Sequence, residues 1–252
     1  MTRTLRKVAG YALAVVVVLL GWHLTAVAVH SPALPTPAAT VPMIERYASA
    51  IVPAFWVSLY RILAGLAIGA LPAVPIGLAL GRMPRLDKVF APVLYLLYPI
   101  PKIVLLPVLL VLLGLADAPK IALIALTVFF QVLVSVRDAA KLVPEDAVTS
   151  VRSLGAGRLG VWHHVVLPAV LPELFTALRV GSGTAVAVLF LAESFAGSTG
   201  LGYFIVDSWG MLNYPRMFAG IVAMAVLGVI LYAVMDVVEN RLTRWRRAGT
   251  RQ

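Results

Sequence analysis

The residues that could do chemistry are a few ionisable side chains set in apolar surroundings. Lys102, Arg179 and Glu193 lie within or near the ends of long apolar stretches, where a charge is costly unless it pairs, snorkels or faces water. Each is a candidate for the path of a charged solute. Lys102 follows Pro99-Ile100-Pro101, so a broken helix with unsatisfied backbone groups coincides with a cation, an arrangement suited to sensing an anion. Snorkelling to the membrane surface is the competing role. Arg179 comes eleven residues after Pro168, near mid-span, and is expected to pair with another helix. Glu193 closes the same stretch roughly 21 Å further along, too far to pair with Arg179 on one helix. An interfacial, structural position is expected for it.

Other chemistry is excluded by what the sequence lacks. A nucleotide-hydrolysing loop ends in Gly-Lys-Ser/Thr, and no such run occurs. The glycine-rich 197–202 has neither a phosphate-binding lysine nor a preceding strand and reads as a loop bend on the outside. With no cysteine, disulfides, thiolate nucleophiles and cysteine-ligated metals are ruled out. The four histidines include the adjacent His163 and His164 but no i, i+4 pair able to chelate a metal from one helix face. No enzyme activity, cofactor or metal is expected.

The elements that carry these residues are membrane spans. Hydrophobic residues make up 61% of the 252 and charged ones 13%, far from the balance of a soluble domain. Mean hydropathy is +0.96. Apolar stretches at 8–29, 51–80, 91–115, 121–136, 168–192 and 217–238 each suffice for a crossing, giving six helices. The first is expected to be retained as an anchor, since it exceeds the apolar run of a cleaved signal. The net charge of +10 concerns orientation and not nucleic acid. One side holds Arg46, Lys120 and Arg216, whereas Arg3, Arg6, Lys7, the clusters at 82–88 and 137–158, and the tail with Arg241, Arg244, Arg246, Arg247 and Arg251 fall on the other. Both termini are therefore expected in the cytoplasm. Three regions follow: 1–50 with the first helix and an outside connection, a core at 51–240, and a basic tail at 241–252.

Within the second span Gly65, Gly69, Ala73, Gly77 and Gly81 recur at every fourth position, a stripe of small residues that lets another helix approach closely. Pro72 and Pro75 are expected to interrupt that helix, and Pro99, Pro101 and Pro107 the third.

The longest cytoplasmic connection, 137–167, is too short for a core of its own. Pro144-Glu145-Asp146 suits a helix start and Gly155-Ala156-Gly157 its end. A second short helix over 158–164 would set Leu159, Trp162 and Val166 near one face, beside the basic Arg152 and Arg158. A helix this short is marginal alone and needs anionic headgroups or a groove in a partner protein.

Gly155 and, after a fixed interval, Leu167-Pro168 resemble the cytoplasmic loop of the integral-membrane permeases of ABC importers. The resemblance covers most of the chain and is most similar to the nitrate/sulfonate/taurine/bicarbonate group, through YPIPKIVLLPVLLVLLGL at 98–115 and AESFAGSTGLGYFI at 192–205. It implies a type I importer permease fold and a short coupling helix at 158–164 seated on an ATP-binding subunit, with Gly155, Arg158, Leu159, Trp162, Leu167 and Pro168 in the contact. It also implies a second permease copy, two ATPase subunits, an extracytoplasmic solute-binding protein, and a bacterial-type inner membrane. One departure stands out: the family's loop opens with Glu-Ala-Ala, and this chain has Thr149-Ser150-Val151. The resemblance implies a small organic or inorganic anion as solute, although the same architecture also serves thiamine-precursor-like and flavin-like solutes. The competing function is an ion-coupled transporter or channel subunit that uses Lys102, Arg179 or Glu193 directly.

Overall fold

A computed structural model describes residues 2–243, apart from the side chains of 2–8 and 11. The side chains of Arg3, Arg6 and Lys7, and the tail residues Arg244, Arg246, Arg247 and Arg251, lie outside the described residues. Among those described, every regular element is helical: α1 (Thr2–Val29), α2 (Pro37–Arg46), α3 (Ala48–Arg82), α4 (Pro84–Leu97), α5 (Leu106–Leu113), α6 (Ala118–Lys141), α7 (Glu145–Ser153), α8 (Arg158–Val161), α9 (Leu167–Ala196), α10 (Leu201–Gly210) and α11 (Tyr214–Leu242). Five helical stretches are long and apolar enough to cross a membrane, and the number reaches six if the bent pair α4 and α5 counts as one crossing. Proline in the first turn opens α2, α4, α5, α6, α9 and α11, where its missing N–H has no intrahelical acceptor to lose. Thr36 and Asn213 cap α2 and α11 through side-chain oxygens.

The third span departs from a simple helix. After α4 the chain breaks at 98–101, resumes as a 3-10 turn at Lys102–Leu105, and continues in α5. The two halves meet at 81°. Two prolines one residue apart remove donors and push their predecessors out of helical geometry, which accounts for the break. Pro72 and Pro75 do not have the expected effect, for α3 runs unbroken through both. Its packing along α6 holds the helix together there. Pro107 likewise starts α5 and interrupts nothing.

The centre of the bundle is the α3/α6 contact, continued by α9. Ile62, Leu66 and Ala73 pack with Ile124, Val128, Val132 and Val136 in one buried cluster. The small stripe faces α6 at very short range: a Cβ on Gly69 would lie 2.5 Å from the Ala125 carbonyl, and one on Gly81 2.5 Å from that of Arg137. Gly65 and Gly77 are similarly crowded, by Ile124 and by Leu133 and Val136. Larger side chains would force the helices apart.

The expected separate helix at 158–164 is not separate. α8 passes through a π-turn at Trp162–Val166 directly into α9, a continuous helical stretch of 39 residues from Arg158 to Ala196. At about 1.5 Å per residue this is roughly 58 Å, against a hydrocarbon core of about 30 Å. About half of its length therefore projects beyond the apolar layer.

Candidate functional site

Three places in the bundle concentrate polar chemistry. At the end of α9 away from α8, the Glu193 side chain is fully buried. This corrects the expectation of an interfacial position. Arg61, from the middle of α3 and itself buried, donates from Nη1 to Glu193 Oε1 at 2.6 Å and to the Thr199 carbonyl at 2.9 Å. Its Nη2 reaches Thr199 Oγ1 at 2.8 Å and Asp117 Oδ1 at 2.5 Å, and its Nε reaches the same Asp117 oxygen at 2.8 Å. The Ser58 hydroxyl lies 2.9 Å from both Glu193 oxygens and accepts from the Leu201 N–H at 2.9 Å. The Gly202 N–H donates to Glu193 Oε2 at 2.8 Å. The carboxylate thus sits at the N-terminus of α10, where free N–H groups and the helix dipole favour a negative charge.

The glycine-rich 197–202 acquires its purpose here. Gly200 has φ +101°, and a Cβ on it would overlap the Glu193 carboxylate. Only glycine combines that left-handed backbone with that approach. The segment cradles an anion, but the anion belongs to the chain itself. Close by, Lys120 is a buried first-turn residue of α6 and no loop cation, with Nζ donating to the carbonyls of Leu115 and Ala116 at 3.1 and 2.9 Å.

The second place is the break between α4 and α5. A cleft of about 480 Å3 opens beside it, lined by Tyr98, Lys102, Thr127, Phe130, Gln131 and Thr184 among others. Lys102 Nζ donates to the carbonyls of Leu97 and Tyr98 at 2.7 and 2.8 Å, satisfying the C-terminus of α4, and lies 4.6 Å from the Phe130 ring centre. An ammonium has three donors, so two carbonyls leave one for a further acceptor. Arg179 lies elsewhere, paired with Glu239 and, at 3.7 Å, with Asp236 of α11. Lys102, Arg179 and Glu193 are therefore not brought together: each occupies its own level of the bundle.

The third place is the loop joining α6 to α9. Gly155 turns the chain with φ +90°, and Leu154 and Leu159 are each 85% exposed, with Leu142 close behind at 82%. Arg152 and Arg158 are exposed beside them. The expected face of Leu159, Trp162 and Val166 is thus only partly right. Val166 is buried in the core, and Trp162 and Leu167 are half-buried against it, because the π-turn rotates these residues inward. Pro168 stands in the first turn of α9. The loop is tied to the bundle by charge: Arg82 pairs with Glu145 at 2.6 Å and donates to the Val143 carbonyl at 3.2 Å, while Asp87 of α4 pairs with Arg137 and, at 2.6 Å, with Lys141 of α6.

Arg61 is the main residue that the sequence reading passed over. An arginine ten residues into an apolar stretch beginning at 51 demands a partner by itself. The identity of that partner, 132 positions away, was not available from spacing.

Comparison with known proteins agrees with this architecture. Residues 73–244 match the family described as the binding-protein-dependent transport system inner membrane component. The taurine transport system permease protein TauC of Escherichia coli is 33% identical over 188 residues, covering 75% of this chain and 68% of that protein. The putative aliphatic sulfonates transport permease protein SsuC of Bacillus subtilis is 30% identical over 196 residues, covering 76% and 70%. Among solved structures, an inward-facing conformation of the MetNI methionine ABC transporter superposes with a TM-score of 0.62 at 20% identity, over 79% of this chain and 99% of that one. With five or six apolar crossings, a sharply bent helix pair and a charged, apolar-tipped loop, the chain belongs to the binding-protein-dependent inner-membrane components, the permease subunits of ABC importers.

Proposed function

We propose that this permease subunit carries a small anion and takes up work from a separate ATPase through the loop at Gly155 to Pro168. The observation that carries the proposal is the exposure of Leu142, Leu154 and Leu159 on a short loop flanked by Arg152 and Arg158. Exposed leucines on a loop beyond the apolar layer gain by entering a groove in a partner. The loop is continuous with α6 and α9, so a displacement imposed on it moves two core helices as levers. The loop side, and with it both termini, faces the cytoplasm, in keeping with the concentration of arginine and lysine there. The assembly contains a second permease copy, two ATP-binding subunits and an extracytoplasmic solute-binding protein.

The solute class rests on relatives named for taurine, aliphatic sulfonates and nitrate, together with the cleft at Lys102. In that cleft the third Lys102 N–H and the Gln131 amide offer donors to oxyanion oxygens, while the Thr127 and Thr184 hydroxyls donate to the Leu123 and Val180 carbonyls. Direct use of Arg179 or Glu193 as an ion-coupled site has less support, since both are engaged in ion pairs.

Uptake into vesicles tests the reading. Transport of taurine, an alkanesulfonate or nitrate should require ATP and co-expressed ATP-binding subunits. Leu154→Asp/Leu159→Asp should abolish co-purification of the ATPase while the permease stays folded. Uptake by the purified chain under an ion gradient alone would refute it.

A further inference from the structure

We infer that Asp87 is the positioning residue through which the α6–α9 loop moves the wall of the Lys102 cleft; this rests on the proposed docking of that loop. α4 is a 14-residue helix, about 21 Å long, that ends in two breaks. At its start Met83 has non-helical φ −118°, ψ 88°, and at its end the chain leaves helical geometry at 98–101. Between these breaks α4 buries only Leu94. An apolar groove of about 390 Å3 runs along it, lined by Phe90, Leu94 and Leu97 of α4, Phe129 and Leu133 of α6 and Ile76 and Leu80 of α3.

A polar tie bridges α4 and α6 beside that groove. Asp87 Oδ1 accepts from Arg137 Nε, and Oδ2 accepts from Lys141 Nζ at 2.6 Å. Arg137 also reaches the Tyr95 hydroxyl at 3.4 Å, further along α4. The Arg137 side chain is only 3% exposed, so the tie is shielded from solvent on that side. Lys141 is the last residue of α6, and the exposed Leu142 follows it directly. The other end of α4 presents the Leu97 and Tyr98 carbonyls that hold Lys102. Loop, tie, helix and cleft form one series, with α4 remaining helical through Pro92. Apolar surfaces can slide past one another, whereas short charge-assisted hydrogen bonds hold a fixed geometry. Displacement of the loop end of α6 therefore drags Asp87, and α4 swings between its two breaks.

The chain has no cysteine, so Ile103→Cys gives the permease chain a single thiol on the cleft, read on that chain after the subunits are separated. In the complete importer, its labelling by a membrane-impermeant maleimide should change about tenfold between nucleotide-free and ATP–vanadate-trapped states, within the range of ordinary allosteric coupling. In Asp87→Asn the change should fall below about twofold, while ATPase co-purification and ATP hydrolysis persist. Asp87→Asn/Arg137→Gln should behave alike; it removes the buried Arg137 charge together with Asp87, leaves only the more exposed Lys141 and Asp138 to solvent, and guards against misfolding of the single variant. Asp87→Glu should restore the response. A tenfold response that survives in either asparagine variant overturns the role of Asp87 while leaving loop docking intact. Absence of any response in the Ile103→Cys parent with the ATPase still co-purifying overturns this inference, whereas an ATPase that does not co-purify with the parent overturns the docking reading.

Discussion

The Glu193 end and the Gly155 end of the bundle are built on opposite terms. Around Glu193, Arg61, Ser58 and Thr199 are enclosed, and the carboxylate meets Arg61, Ser58 and the Gly202 N–H. Around Gly155, leucines point outward and the basic side chains of Arg152 and Arg158 are exposed. The first region is complete within one chain; the second has apolar surface to spare. Under the proposed docking, this difference separates what holds the helices together from what remains available to a partner. Desolvated charges retain their geometry only when every hydrogen bond is made, which suits a permanent joint. Exposed leucines on a short loop suit an interface made with another protein.

The comparison breaks if the two ends respond alike to substitution. Glu193→Ala should have the largest effect on the fold, about 3–5 kcal/mol, because Arg61 loses its enclosed partner. The apparent unfolding midpoint in detergent measures it, and Arg61→Met/Glu193→Leu should recover most of the loss. Gly200→Ala should follow at about 2–3 kcal/mol, from the left-handed backbone and displacement of the carboxylate. At the other end, Trp162→Asp should cost about 2 kcal/mol, since the indole packs on the core. Leu159→Asp should change stability by less than about 0.5 kcal/mol and yet remove the ATPase in co-purification. Trp162→Asp thus mixes folding with docking, and Leu159→Asp separates them.

The legible part of this architecture was local. The long apolar stretches announce spans, the small stripe from Gly65 to Gly81 announces a close helix contact, and Pro99 and Pro101 announce a break. Pro72 and Pro75 were misread because the same local rule was applied where a packed neighbour overrides it. The loop leucines were visible as apolar residues in a polar setting, but the π-turn that rotates Trp162 and Val166 inward leaves no mark in a periodicity of 3.6. Glu193 reads locally as a charge at a span end, which leaves its enclosure open. Its burial depends on α10 folding back against α9, a tertiary event.

The sequence by itself determined the solvent, the apolar stretches, the side on which positive charge gathers and the position of the loop, since each follows from composition over a short window. Only the tertiary structure decided which charges meet. The pairing of Arg61 with Glu193 and Asp117, of Asp87 with Arg137 and Lys141, and of Arg179 with Glu239 joins residues on different helices. Helix register and crossing geometry select these partners from many possible ones, and neither is encoded in the spacing of residues along a single span.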